Sequence, residues 1–293
     1  VLEKHPDMIL RKKHFAIIKA NWEDKASNIK HISNELNIGL DSIVFVDDNP
    51  FERNLVRSKL PQVKTVELSK DPIFYSDDIE GLGDFDNLIH SFEDKNRTKM
   101  YQAEIKRKEF KVKFNSIDDY LTTLKMKLEI KKNDKFSSPR IAQLCQRVNQ
   151  FNLTSKRYTE GEIKSFIKNK NTDVYSLRLI DKFGDMGIIG AAIIKYEKSN
   201  AVIDTFLLSC RSLGRGVENA FLRLCLDAIK KRRCKLVSSS YSKTKKNRQV
   251  EEFYEKRGFK VQKNQSKLEK KYIFNIVKDS LANKPKYFSI SLS

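Results

Sequence analysis

The sequence predicts an α/β chain of two domains, and three observations carry that prediction. A short apolar run over 43–46 ends directly in Asp47-Asp48-Asn49-Pro50 and a helix start, the grammar of a β-α-β unit. Strand-like runs over 174–180 and 187–195 flank Phe183-Gly184-Asp185, a turn sequence that reads as a hairpin. Beyond it come a strand over 201–210, an amphipathic helix over 218–231 with Phe221, Leu222, Leu224, Cys225 and Ile229 at helical spacing, and a strand over 235–239. The length of 293 residues agrees, since domains run to roughly 150 residues each.

In order, residues 28–36 read as a helix, 42–46 as a buried strand, 50–58 as a helix closed by Pro61, and 65–68 as another strand. Residues 93–110 are strongly charged and free of Pro and Gly, which suits an exposed connecting helix. A second domain follows: strand 128–131, helix 140–149, then Thr159 with Glu162 as a capping box that opens a further helix. Residues 251–257 read as a short helix, and the last 18, rich in Lys, Asn and Ser, as a loosely ordered tail. The expected divisions are therefore 1–92, 93–110, 111–275 and 276–293.

Composition narrows the classes. A hydrophobic share of 39% with 10% aromatics fills packed interiors, so the chain is expected to be globular. No run approaches the about 18 to 20 apolar residues of a membrane helix. Glu3, Lys4, His5 and Asp7 break any secretory segment, and four cysteines without CxxC spacing indicate neither a disulfide framework nor a zinc site, so a cytoplasmic protein is expected. The net charge of +20 is spread along the chain and interleaved with acids, which favours a solvated basic surface over nucleic-acid binding. Such a field would also steer an acidic protein partner.

Two carboxylates at the C-terminal lip of a buried strand stand where open α/β sheets bind ligands, and a hard cation such as Mg²⁺ suits them. An acidic turn capping the next helix explains the same residues. The stretch Asn21-Trp22-Glu23-Asp24-Lys25-Ala26, with Leu36-Asn37-Ile38-Gly39-Leu40-Asp41-Ser42 and Val44-Phe45-Val46-Asp47-Asp48-Asn49-Pro50, resembles the third and fourth motifs of HAD-superfamily phosphatases of subclass IIIC. The resemblance implies a partial HAD-like, Rossmannoid parallel α/β domain in which Lys25 steadies a phosphoryl group and Asp47 and Asp48 hold magnesium. That family's chemistry needs an Asp-x-Asp after its first strand, and nothing upstream of Lys25 supplies it. Asp84-Phe85-Asp86 has the spacing but follows the carboxylates. The expectation is an N-terminally truncated domain that by itself hydrolyses no phosphoester.

Arg211-Ser212-Leu213-Gly214-Arg215-Gly216 lies between a strand and the long helix. Glycines let backbone approach a phosphate, and a helix start offers free amides and a favourable dipole, although a strand-to-helix turn needs glycine for steric reasons about as often. The bend resembles the Arg/Gln-x-x-Gly-x-Gly signature of GNAT acyltransferases. About thirty residues on, Asn247 and Phe253-Tyr254-Glu255-Lys256-Arg257-Gly258-Phe259 resemble that fold's second signature. The likeness implies a GNAT-like α+β domain with a mixed, mostly antiparallel sheet. In it Arg211, Gly214, Arg215, Gly216 and Asn247 bind coenzyme A or a phosphopantetheine arm, and Tyr254 protonates the departing thiolate. A packed aromatic explains Tyr254 equally. Cys210 could carry an acyl group as a thioester beside Arg211, with burial in a strand as the plainer account.

Residues 144–154, with Asn149-Gln150-Phe151-Asn152-Leu153-Thr154, and Ile180-Asp181-Lys182-Phe183-Gly184-Asp185 resemble the C-terminal domain of FkbH-like proteins. With the earlier motifs the likeness runs from about Glu3 to Asn275. It implies transfer of a small hydroxyacyl group from a phosphorylated donor to an acyl carrier protein thiol. Asn149, Gln150 and Asn152 would then bind the acyl group, or cap a helix end. A coenzyme A-dependent N-acetyltransferase with a HAD-derived scaffold, and a non-catalytic interaction module, are the alternatives.

Overall fold

The computed structural model describes residues 2–86, 92–262, 266, 268–279 and 287–293. The chain divides into two compact units, Val1–Phe110 and Lys111–Ser293.

In the first unit α1 (Lys25–Leu36) begins at Asp24, whose carboxylate accepts the Ser27 amide at 3.0 Å. It stops at Asn37, which turns left-handed at φ 53°. Then come β1 (Val44–Phe45), α2 (Pro50–Lys59) and β2 (Lys64–Thr65). β1 and β2 pair in parallel across α2, so the expected β-α-β unit is present. Its core is Ala26 and Ile29 of α1 against Val56 of α2, with Leu60 just past the end of α2 and Val63. The strands are shorter than the apolar run suggested, because among the described residues β1 has a strand neighbour on one edge only.

α3 (Tyr75–Glu80), α4 (Phe92–Lys95) and α5 (Arg97–Lys111) complete the unit. The charged stretch over 93–110, expected to be one exposed connecting helix, is two helices. α5 lies on its own unit: Gln102 Nε2 donates to the Phe15 carbonyl at 2.7 Å and Lys108 Nζ to that of Glu35 at 2.5 Å.

The second unit runs α6 (Ile117–Thr123), β3 (Met126–Lys132), α7 (Ser138–Arg147), α8 (Glu160–Lys168), β4 (Thr172–Asp181), β5 (Gly184–Glu197), β6 (Asn200–Leu208), α9 (Val217–Lys231), β7 (Leu236–Ser242), β8 (Lys260–Val261), β9 (Glu269–Asn275) and β10 (Phe288–Leu292). Thr159 and Glu162 form the expected capping box of α8. β4 and β5 form the expected hairpin, with Asp181 paired to Gly184.

The eight strands lie in the order β10-β3-β4-β5-β6-β7-β9-β8. The β10–β3 and β6–β7 junctions are parallel and the rest antiparallel, a mixed and mostly antiparallel sheet. Ile141 and Cys145 of α7 and Ile163 of α8 pack on Ile193 and Leu207. The neighbouring Phe206 points the other way, its ring 5.2 Å from Phe221 of α9, so the sheet lies between two helical layers.

Two expectations for this unit are corrected. Residues 251–257 form turns and a single 3-10 turn ending at Gly258 (φ 84°), not a helix. The expected tail contains β10, whose Phe288 is buried and whose five residues pair with β3. Among the described residues no helix is long and apolar enough to cross a membrane.

Candidate functional site

At the lip of β1 the sequence-predicted residues come together. Lys25, at the first position of α1, holds its ammonium 3.5 Å from Asp47 Oδ2 and keeps 49% of its side chain exposed. Asp47 Oδ1 accepts the Asn49 amide at 2.9 Å, and Asn49 in turn caps α2. Asp48 is exposed. The residue that fixes this lip is one the motif reading passed over: Arg53, 6% exposed, donates to the carbonyls of both Asp47 and Asp48 at 2.9 Å and to Glu67. Its signal was an arginine one turn into a helix that follows an acidic pair.

Beside the lip, a cavity of about 300 Å³ is lined by Lys19, Asn21, Lys25, Ile29, Ile43 and Phe45. Among the described residues no three acidic, histidine or cysteine side chains cluster as a metal cage. The lip supplies two carboxylates, and Mg²⁺ commonly takes one or two, completed by water and phosphate oxygens, so the donor set fits.

In the second unit β6 and β7 are paired only from Asn200–Leu236 to Ile203–Ser239, and both strands run on beyond the last pair. They splay. After β6 a 3-10 turn, Cys210–Ser212, leads into the glycine bend. Gly214 and Gly216 adopt φ 74° and 72°, and a Cβ built on Gly214 would meet nothing within 4 Å. Gly216 caps α9 without a side chain, so the amides of Val217 and Glu218 lie outside the helix's own bonding. The bend is open at Gly214 and leads to a helix start with unbonded amides, the kind of element that favours an anion, although Val217 itself is buried.

Residues 111–293 have a GNAT-like fold. Antiparallel β3 to β6, the crossover α9 and the splayed parallel pair define it. No family model matches the sequence, and no curated protein matches it. Among solved structures, the N-terminal part of a Bacteroides fragilis protein, containing a phosphatase domain and complexed with Mg, is 46% identical over 30% of this chain, with a TM-score of 0.29. The chain spans only 24% of that structure's length. A Thermoplasma acidophilum PaiA N-acetyltransferase in complex with coenzyme A is 17% identical over 50% of this chain and 98% of its own, with a TM-score of 0.37. A Staphylococcus aureus N-acetyltransferase is 16% identical over 51% and 98%, with a TM-score of 0.40.

Several residues expected at the GNAT-like site have other work. Asn247 is fully buried, and its carboxamide is spent: Nδ2 donates to the carbonyls of Asn152 (3.1 Å) and Ser242 (2.8 Å), while Oδ1 accepts the Thr244 amide (2.8 Å) and the Tyr241 hydroxyl (3.0 Å). In this structure its polar atoms are bonded within the fold. Asn152 is 1% exposed, with Oδ1 accepting the Ser155 amide and Nδ2 donating to the Val148 carbonyl. Asn149 Oδ1 accepts from Arg157 at 2.6 Å. Of the three proposed acyl-binding amides, Gln150 alone is exposed.

Arg215 is 5% exposed and turned against Met186 Sδ at 3.1 Å, not toward the bend's surface. Arg211 is half-buried. Cys210 lies past the end of β6, in the 3-10 turn and half-exposed, because the chain leaves the sheet after the Ser209 amide bonds Ile189.

Tyr254 is 1% exposed within the rings of Phe253, Phe259 and Tyr272. Burial pushes its phenol well above the ordinary range. Its hydroxyl lies near that of Ser239, yet neither has a hydrogen bond of good geometry to a described residue. A buried, unusually weak acid is not placed to protonate a thiolate in this structure.

The splay itself is filled. Residues 151–153 enter it from the loop after α7: the Leu208 amide donates to the Phe151 carbonyl (3.0 Å), the Leu153 amide to that of Phe206 (3.3 Å), and the Ser242 amide to that of Leu153 (2.8 Å). The Phe151 ring meets Phe253 edge-on at 5.1 Å. Sequence reasoning also passed over Glu218, in the first turn of α9, whose Oε2 is buried without a hydrogen-bond partner among the described residues. Nearby Arg257 stacks on Phe253 at 3.9 Å; burial lowers its pKa and Glu218 opposes that shift.

Proposed function

We propose that this chain is an FkbH-like acyltransferase whose second unit loads a small hydroxyacyl group onto the thiol of an acyl carrier protein. One observation carries the reading. The bend through Gly214 and Gly216 opens on a 15-residue α9 that has no side-chain cap, directly after a splayed parallel pair. A diphosphate or phosphate of coenzyme A or of a carrier's pantetheine arm fits that amide-lined turn, since two left-handed glycines let it approach the backbone. The thiol end of such an arm does not fit the splay while residues 151–153 occupy it.

In the reaction, the carrier thiol attacks the carbonyl of an acyl phosphate. A C–S bond forms, the C–O bond to phosphate breaks, and phosphate leaves with the electron pair while the thiol proton passes to solvent or phosphate. On the first unit, taken by itself, Lys25 would be the cation for a phosphoryl group bound at the lip of β1. Asp47 and Asp48 would hold Mg²⁺, which neutralises phosphate charge when bound. The surplus of basic residues, +20 overall, suits an acidic carrier.

The test is a mass measurement on holo acyl carrier protein incubated with this protein and small hydroxyacyl phosphates. A gain of one acyl mass on the carrier is expected. No gain with any donor, while acetyl-CoA is consumed with an amine acceptor, would replace this reading with that of an N-acetyltransferase.

A further inference from the structure

We propose that the loop over 243–248, which follows β7, is the docking surface for the acidic face of a carrier protein. The inference rests on the acyl-carrier reading above and names where on this chain the partner sits. β6 and β7 are parallel, so the loop that leaves β7 and the glycine bend that leaves β6 lie at the same end of the sheet. The loop reads Lys243-Thr244-Lys245-Lys246-Asn247-Arg248, four cations within six residues and no acid. All four cations are exposed.

Two features separate this loop from the rest of the basic surface. Elsewhere in the second unit cations converge on carboxylates: Lys156 and Lys195 on Asp204, Lys132 and Arg232 on Asp173. In the loop, Lys245 and Arg248 form no ion pair with a described residue, and Lys243 meets Glu251 at 3.6 Å, a carboxylate that Lys270 also holds at 3.2 Å. The positive field is therefore not cancelled locally. The second feature is a fixed backbone. The Thr244 amide donates to Asn247 Oδ1 at 2.8 Å and the Asn247 amide returns a bond to Thr244 Oγ1 at 3.2 Å, while the Val250 amide donates to the Asn247 carbonyl at 3.0 Å. Through Asn152, which bridges Leu207, Asn247 also ties the loop to the end of β6. A loop already ordered loses little freedom when a partner binds it.

The chemistry selects the partner. Residues 243–249 contain no aromatic side chain, whereas single-stranded nucleic acid is held by cations together with stacking rings. A compact set of cations complements the acidic face of a folded protein. A carrier seated there would bring a phosphate borne on its own surface to the end of the sheet where Gly214 and Gly216 lie.

The experiment measures binding of an acyl carrier protein that lacks its pantetheine arm, so that docking is read apart from the glycine bend, at low and at physiological salt. The double variant Lys245→Glu with Arg248→Glu is compared with Lys168→Glu with Lys170→Glu, two exposed lysines at the opposite end of the sheet and the same change in net charge. The loop variant is expected to bind the carrier about tenfold more weakly at low salt, with less difference as salt rises, and the control within about twofold of the parent. Coenzyme A affinity is expected to stay the same in both. Equal weakening by the control would show a diffuse field and overturn the loop assignment. Carrier binding unaffected by the loop variant would overturn the loop and leave the acyl-carrier reading standing. No carrier binding by the unaltered protein at low salt would remove that reading as well, and a single-stranded RNA that displaces the carrier from the loop at equal concentration would replace the partner.

Discussion

The lip of β1 and the splay of β6 and β7 are both sheet openings flanked by motif residues, yet they are built in opposite ways. At the lip the charged side chains stay at the surface: Lys25 is half-exposed, Asp48 is exposed and Trp22 is fully exposed, while one buried arginine, Arg53, holds the backbone beneath them. At the splay Asn247, Asn152 and Tyr254 are buried, and the two asparagines have spent their hydrogen bonds on the protein itself. A motif residue is available to a ligand only when its polar atoms are not already committed, which spacing alone does not reveal.

Truncating an apolar side chain at each opening should separate them most. Phe151→Ala empties a buried ring site against Phe253 and Phe206 and is expected to cost about 3 to 5 kcal/mol, whereas Trp22→Ala is expected within about 0.5 kcal/mol of the parent in urea unfolding. Equal losses would erase the contrast. Next in size, Asn247→Ala leaves two carbonyls and an amide unmatched and should cost roughly 2 to 4 kcal/mol, while Gln150→Ala should be silent in thermal melts.

A pH titration sharpens the same contrast. Asp204 stands on β6 beside the loop that feeds the splay; burial acts to raise its pKa, but Lys156, Lys195 and Tyr158 together hold it below the ordinary 3.8. A carboxyl depressed in the folded state contributes stability that is fully present above about pH 4 and is lost as pH falls through the folded value. Acid should therefore weaken the second unit below pH 4, and Asp204→Asn should flatten that dependence. An unchanged acid limb in the variant would place the acid sensitivity elsewhere. The smallest effect concerns anion affinity: Glu218 sets a carboxylate in the first turn of α9, so Glu218→Gln is expected to tighten pyrophosphate binding about two- to fivefold by calorimetry.

Much of the fold was legible because periodicity and caps are local. The β4–β5 hairpin, the α8 capping box and the amphipathic α9 followed from residues adjacent in the chain. β9 escaped because its lysines, Lys270 and Lys271, hide the alternation of Tyr272 and Phe274, and β10 because it is short, follows a polar stretch and pairs with a strand more than a hundred residues away. At the candidate site the glycine bend was legible, since left-handed turns select glycine. The roles of Asn152 and Asn247 were not, because their partners lie 95 positions apart and meet only in the folded sheet.

The start of α9 is proposed as a phosphate site. Titrating inorganic pyrophosphate while following backbone amide shifts tests it most directly. Saturable shifts centred on Gly216, Val217 and Glu218, weakening as salt rises, are the predicted result. Amides there that stay unmoved up to millimolar pyrophosphate, or shifts confined to the lip of β1, would contradict it.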